Sequence, residues 1–207
     1  MARQESLESP STFTRRRFLA SPKVWLFLLC LLPLFRLLVL GFTGGLGANP
    51  IEFVTRSLGT WTLGFLLITL SITPLRRLTG NARLIRYRRM LGLFAFFYAS
   101  LHLTSYLWLD QFFDLSEILR DIAKRPFITV GMLTFALLVP LAVTSTDRAM
   151  RALKRNWQRL HWLVYPAAML GVLHYFWLVK KDLTQPVIYA LILAVLLLSR
   201  VGHYFRN

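Results

Sequence analysis

Cysteine is all but missing from this chain. Cys30 is the only one among 207 residues, which excludes an intrachain disulfide, a thiolate cluster and a CxxC redox motif. Acidic residues are also scarce, nine against 25 lysines and arginines. Almost none of the nine falls inside an apolar run, which argues against a transporter built on intramembrane carboxylates. No strand, glycine-rich turn and helix follow one another as a dinucleotide-binding unit would require. Nor is there a polar stretch long enough to form a separate soluble domain of ordinary size.

The chain instead contains apolar runs approaching twenty residues with short gaps between them. Hydrophobic residues make up 56% of the sequence and the mean hydropathy is +0.52, values of a polytopic membrane protein. Six spanning helices are predicted, at about Val24–Gly41, Leu58–Leu75, Met90–Leu109, Phe127–Thr144, Leu160–Val179 and Pro186–Tyr204. The predicted fold is therefore all-α, a six-helix transmembrane bundle over residues 24–204, with a polar segment 1–23 before it and a short tail 205–207 after it. A short helix is expected in LSEILRDIA between the third and fourth spans. The run Thr14-Arg15-Arg16-Arg17-Phe18-Leu19 looks like a twin-arginine export signal. The following apolar run is long and lacks a clear cleavage site, so the cluster reads as the anchor of an uncleaved helix. No internal repeat stands out.

Charge in the flanks sets the orientation. The N-terminus, the second–third loop, the fourth–fifth loop and the C-terminus hold 5, 6, 5 and 2 basic residues, and the three loops on the opposite side hold 1, 3 and 2. That asymmetry places both termini in the cytoplasm, where the basic loops meet anionic lipid. It also accounts for the net charge of +16 without a nucleic-acid partner.

Chemistry is carried by histidine. His161 and His174 fall in the fifth span, WQRLHWLVYPAAMLGVLHYFWLVK, and His102 in the third. Ionisable side chains at membrane depth are functional-site candidates, and imidazole suits a metal or haem iron. A lone histidine there is more often hydrogen-bonded inside the bundle. His102 and His174, however, lie ~18 and ~21 Å along helices running in the same direction, a matched depth that fits the two axial ligands of one b-type haem. The second nitrogen of each ring would be held by a carbonyl or hydroxyl, and Thr104, Ser105 and Tyr106 are nearby in sequence. His161 lies at the cytoplasmic end, out of phase with His174 unless Pro166 bends the helix. Its spacing leaves open a second haem or an interfacial residue. His203 reads as interfacial. Arg36 either snorkels outward or meets a haem propionate.

The stretches GGLGANP at 44–50, ITPLRRL at 72–78, LIRYRRMLGL at 84–93, LHLTSY at 101–106, RPFITVG at 125–131, TSTDRAM at 144–150, WQRLHWLVY at 157–165 and HYFWLVK at 174–180 carry a resemblance. The chain resembles the MsrQ (YedZ) family, haem-bearing membrane subunits of bacterial periplasmic methionine sulfoxide reductase systems. That family lies within the ferric-reductase-like transmembrane group, as do the NADPH oxidases. The resemblance implies haem b on His102 and His174, with His161 associated with a second haem, a flavin or a quinone site. It also implies a periplasmic molybdopterin-containing catalytic subunit, MsrP-like, as electron acceptor, so the sulfoxide-reducing site would lie on that partner. NADPH oxidases carry a second histidine on the third helix, where this chain has Arg88. They also continue into a flavin and nicotinamide domain, which these residues lack, so membrane quinol or a separate flavin reductase is expected to supply electrons. FMN is linked to the family, but no stretch identifies its site. The alternatives are a stand-alone ferric reductase and a small transporter with structural histidines.

Overall fold

The computed structural model describes residues 21–204, with side chains through residue 200. The segment 1–20, including the arginine run, the tail 205–207 and the side chain of His203 lie outside the described residues. All regular structure among those described is helical: α1 (Pro22–Phe42), α2 (Pro50–Thr79), α3 (Ile85–Thr104), α4 (Leu115–Lys124), α5 (Pro126–Val143), α6 (Asp147–Leu153), α7 (Arg155–Leu160), α8 (Val164–Leu178) and α9 (Thr184–Tyr204). A 3₁₀ turn, Ala82–Leu84, leads into α3, and another, His161–Leu163, joins α7 to α8. A π-helical stretch, Ser105–Asp110, extends α3. By length and composition, α1, α2, α3 with its extensions, and α5 suffice to cross a membrane. The composite α7–α8 and the apolar α9 complete the six-helix bundle. The surface carries the signature of a lipid solvent: Trp25, Phe35, Leu191, Val195 and Leu198 are exposed, whereas Ala95, Ala167 and Ala168 are fully buried.

Two of these helices differ from the expected spans for reasons visible in their ends. α2 begins eight residues before the predicted Leu58. Asn49 caps it by accepting from the Glu52 N–H, Pro50 takes the first turn, and Glu52 complements the N-terminal dipole. It also continues past Pro74 and the predicted end at Leu75, and stops only at Gly80, which adopts φ 67°. α3 begins at Ile85, so Arg86, Arg88 and Arg89 lie on a helix and not in a loop. The fifth span is not a single rod. Pro166 sits on the first turn of α8, where it offers no N–H. The chain tightens to 3₁₀ at His161–Leu163 just before it.

Packing is organised as two helix pairs. α2 lies along α3, and α5 along α8; α3 also meets α5, and α9 closes against α8 and α2. One end of the bundle carries the turns around Asn49, Asp110, Arg125 and Asp182. The other carries the arginine-rich segments 76–89 and 145–159, tied together by an Arg89–Asp147 ion pair. α4 forms where LSEILRDIA suggested it, capped by Asp114 through the N–H groups of Ser116 and Glu117. α1 is held by Tyr98 of α3, whose side chain is fully buried. Its hydroxyl donates to the Cys30 carbonyl at 2.8 Å and accepts from the Leu34 N–H at 3.2 Å. It therefore occupies a rung of the α1 hydrogen-bond ladder next to Pro33.

Candidate functional site

Between the two helix pairs lies a cavity of about 540 Å³. His102 enters it from α3 and His174 from α8, with ring centroids 6.1 Å apart and ring planes at 74°. The His102 Nδ1–H donates to the carbonyl of Thr55 on α2 at 2.9 Å, and the His174 Nδ1–H to the carbonyl of Phe127 on α5 at 2.7 Å. A carbonyl only accepts, so each proton sits on Nδ1 and each Nε2 keeps its lone pair. The depth match expected from sequence thus becomes spatial adjacency. The predicted hydroxyl partners are corrected: neither Thr104, Ser105 nor Tyr106 holds an imidazole nitrogen. Ser105 instead donates to the His102 carbonyl and accepts from Thr55, fastening α3 to α2 one turn from the ring.

This donor set suits an iron that brings most of its own ligands. Among the described residues no group of three or more histidine, cysteine or acidic side chains converges, so a bare ion caged by protein is not what the site is built for. Two imidazole–metal bonds of about 2 Å, with the short distance from each nitrogen to its ring centre, span about 6 Å, close to the observed separation. The walls have the polarity a porphyrin requires. Leu63, Leu66, Phe135 and Leu138 line one part of the cavity, and Arg56, Tyr106, Arg125 and Tyr175 another. Arg56 and Arg125 are paired with Glu52 at 2.6 Å and Asp121 at 3.3 Å. Arg36 is not in the lining; it is exposed, with its guanidinium 5.9 Å from the centre of the Phe53 ring. The π-helical stretch after His102 is a departure from α geometry often found at functional sites.

His161 lies outside this cavity, towards the arginine-rich end. Its Nδ1–H donates to the carbonyl of Trp157, one turn back, at 3.0 Å, and its ring stacks on the Trp157 indole at 3.8 Å. The indole N–H is itself fixed to the Thr144 carbonyl at the end of α5. His161 Nε2 is buried and has no hydrogen-bond partner among the described residues, as is true of Thr73 Oγ1 and Arg200 Nε. Arg200 donates to the Leu70 carbonyl at 2.7 Å and to the Tyr165 hydroxyl. Arg88 is a charge neighbour of both Arg200 and His161. No carboxylate pairs with Arg88 or Arg200 among the described residues. Neither Arg200 nor Thr73 had been a candidate from sequence.

Comparison with known proteins gives a concordant picture. Residues 56–172 match the family described as ferric reductase like transmembrane component, an interval that includes His102 and His161 and ends two residues before His174. A protein of Herminiimonas arsenicoxydans is 58% identical over 182 residues, 86% of this chain and 84% of its own length. One of Xanthomonas campestris pv. campestris (strain 8004) is 60% identical over 156 residues, 75% of this chain and 72% of its own. One of Bordetella pertussis is 50% identical over 200 residues, 96% and 97%. Each of the three is named as the protein-methionine-sulfoxide reductase heme-binding subunit MsrQ.

Proposed function

The chain belongs to the ferric-reductase-like transmembrane family and within it to the MsrQ subunits, and from that membership we propose that it is a haem-carrying electron-transfer subunit of the bacterial inner membrane. Electrons enter at the arginine-rich, cytoplasmic end, pass to a b-type haem between His102 and His174, and leave to a periplasmic, molybdopterin-containing methionine sulfoxide reductase that repairs oxidised proteins. The observation that carries this reading is the pair of imidazoles 6.1 Å apart, each with Nδ1 committed to a carbonyl of a neighbouring helix.

A bound haem supplies a one-electron carrier. The residues of the chain determine how it is held. His102 and His174 would hold the iron through their Nε2 lone pairs, and the Thr55 and Phe127 carbonyls, by fixing the tautomers, would increase the basicity of both rings. Arg56 and Arg125 are the cations of the cavity wall and so are the partners suited to propionate carboxylates. The apolar lining excludes water from the rest of the ring. A haem held by this wall would lie at the end of the bundle opposite the arginine-rich segments 76–89 and 145–159, the end at which a periplasmic partner would dock.

The inner site is read as the entry point. Two guanidiniums without a paired carboxylate suit a phosphate, and the buried lone pair of His161 Nε2 suits an N–H or O–H donor. Both features favour flavin mononucleotide, reduced by a separate flavin reductase, over a bare quinol headgroup. A second haem on His161 is the competing reading, supported by the same unpartnered nitrogen. Cofactor stoichiometry in the purified chain decides between them: one haem with one flavin supports the first, and two haems without flavin the second. Co-purification with a periplasmic molybdopterin subunit tests the electron acceptor. A stand-alone ferric reductase would instead reduce external Fe(III) with no such partner bound.

A further inference from the structure

The two histidines are seated in the same way. His102 reaches the carbonyl of a residue 47 positions earlier, and so does His174. In both cases a glycine stands four residues after that carbonyl, one turn along the same helix face: Gly59 after Thr55 on α2, and Gly131 after Phe127 on α5. A Cβ at Gly59 would meet the His102 ring at 3.0 Å from Cε1 and 3.2 Å from Nδ1. At Gly131 it would meet the His174 ring at 2.9 Å from both Cε1 and Nδ1. The α2–α3 and α5–α8 pairs therefore repeat one geometry, with Gly59 and Gly131, Thr62 and Thr134, Ala95 and Ala167, and His102 and His174 each at the same offset in sequence. Few other identities accompany them, which is why no repeat stands out in the sequence itself.

We propose that Gly59 and Gly131 are positioning residues for the two axial imidazoles: the missing side chain lets each ring lie flat enough against the neighbouring helix to donate Nδ1–H to its carbonyl. The proposal rests on the reading of His102 and His174 as haem ligands. A methyl group at either position could not be absorbed by swinging the ring away once haem is bound, because the ring is held by the carbonyl on one side and would be held by iron on the other. The ring must tilt, and the Nδ1–H···O=C bond is the contact that weakens. Loss of that bond makes the imidazole a poorer electron donor to iron, so the ferric state is less favoured and the potential moves to a more positive value. The tighter contacts at Gly131 make it the more sensitive position.

The test uses the full-length chain purified from membranes with its haem. Gly59→Ala and Gly131→Ala are compared with Gly64→Ala, where an added Cβ meets nothing within 4 Å. The expected result is a positive shift of the midpoint potential or loss of the low-spin spectrum, larger for Gly131→Ala than for Gly59→Ala and absent for Gly64→Ala. A wild-type potential and spectrum in both Gly59→Ala and Gly131→Ala overturn the proposal. A double-mutant cycle keeps the test decisive if a variant folds poorly. Gly131→Ala should lower the thermal stability of the wild-type chain but not that of a His174→Ala chain, where no ring is in the way. An equal loss in both backgrounds makes the glycine a helix-packing residue and overturns the proposal. Full haem retention in His102→Ala and His174→Ala themselves removes the premise, a result separable from wild-type behaviour of the glycine variants.

Discussion

His102 and His174 donate their Nδ1 protons across a helix interface, to carbonyls of α2 and α5. His161 donates to Trp157, four residues back on its own stretch of chain. In the first arrangement the ring is fixed relative to the bundle, and moving it requires two helices to part. In the second the ring moves with its own turn, which is a short 3₁₀ segment ahead of Pro166. The cavity end has two lone pairs facing one space, and the arginine-rich end has one buried imidazole nitrogen without a hydrogen-bond partner and two guanidiniums without a paired carboxylate among the described residues. Ligand chemistry follows from that contrast. Two rigid imidazoles suit an iron held axially, and one imidazole with excess positive charge suits an anionic organic cofactor.

The contrast can be broken at either end. The largest effect is expected at the cavity. His174→Ala should reduce electron delivery from the prereduced chain to a periplasmic acceptor by at least about 100-fold, the upper range for disturbing even the outer shell of a metal site; stopped-flow oxidation of the haem measures it. A smaller effect is expected at the other end. Arg88→Gln removes a guanidinium that makes no hydrogen bond to any described residue, so folding is spared. Loss of a charge-assisted contact of about 1.5–3 kcal/mol weakens flavin retention by about tenfold or more while the haem spectrum stays unchanged. Flavin released on dilution, followed by fluorescence, tests this. If Arg88→Gln alters the haem and leaves flavin untouched, the two ends have been assigned the wrong way round. The smallest effect belongs to neither site. Tyr98→Phe removes the hydroxyl between Cys30 and Leu34, but those two backbone groups can then bond each other. The expected cost is about 1 kcal/mol or less, read from thermal unfolding, with the absorption spectrum unaltered.

Much of the bundle was legible because apolar runs of bilayer length are rarely anything but spanning helices, and the LSEILRDIA stretch marked α4. The adjacency of His102 and His174 was also legible, since depth along parallel helices follows from the 1.5 Å rise alone. Their hydrogen-bond partners were not. A backbone carbonyl has no sequence signature, so nearby hydroxyls drew attention to Thr104, Ser105 and Tyr106 while Thr55 and Phe127 passed unnoticed. The role of Gly59 was equally hidden until the register of the two helix pairs could be aligned. At the other end, ending the second span at Leu75, beside Pro74, shortened α2, and starting the third at Met90 left Arg88 in a loop. Helix caps at Asn49 and Gly80 outweigh one proline whose preceding turn is already at the end of the span. The 3₁₀ turn at His161, just ahead of Pro166, is a local departure that spacing on an ideal helix cannot supply.

The chain's histidines divide between two jobs, and one comparison bears on that division before any other: haem content and the reduced absorption spectrum of His102→Ala, His174→Ala and His161→Ala, purified side by side. The first two should each lose the low-spin bis-imidazole haem, because no cysteine or further imidazole lies near the cavity among the described residues to replace the lost ligand. His161→Ala should keep that haem and lose the rate at which a cytoplasmic donor reduces it. Wild-type haem content and spectrum in either His102→Ala or His174→Ala, or loss of the same haem in all three, would contradict the division.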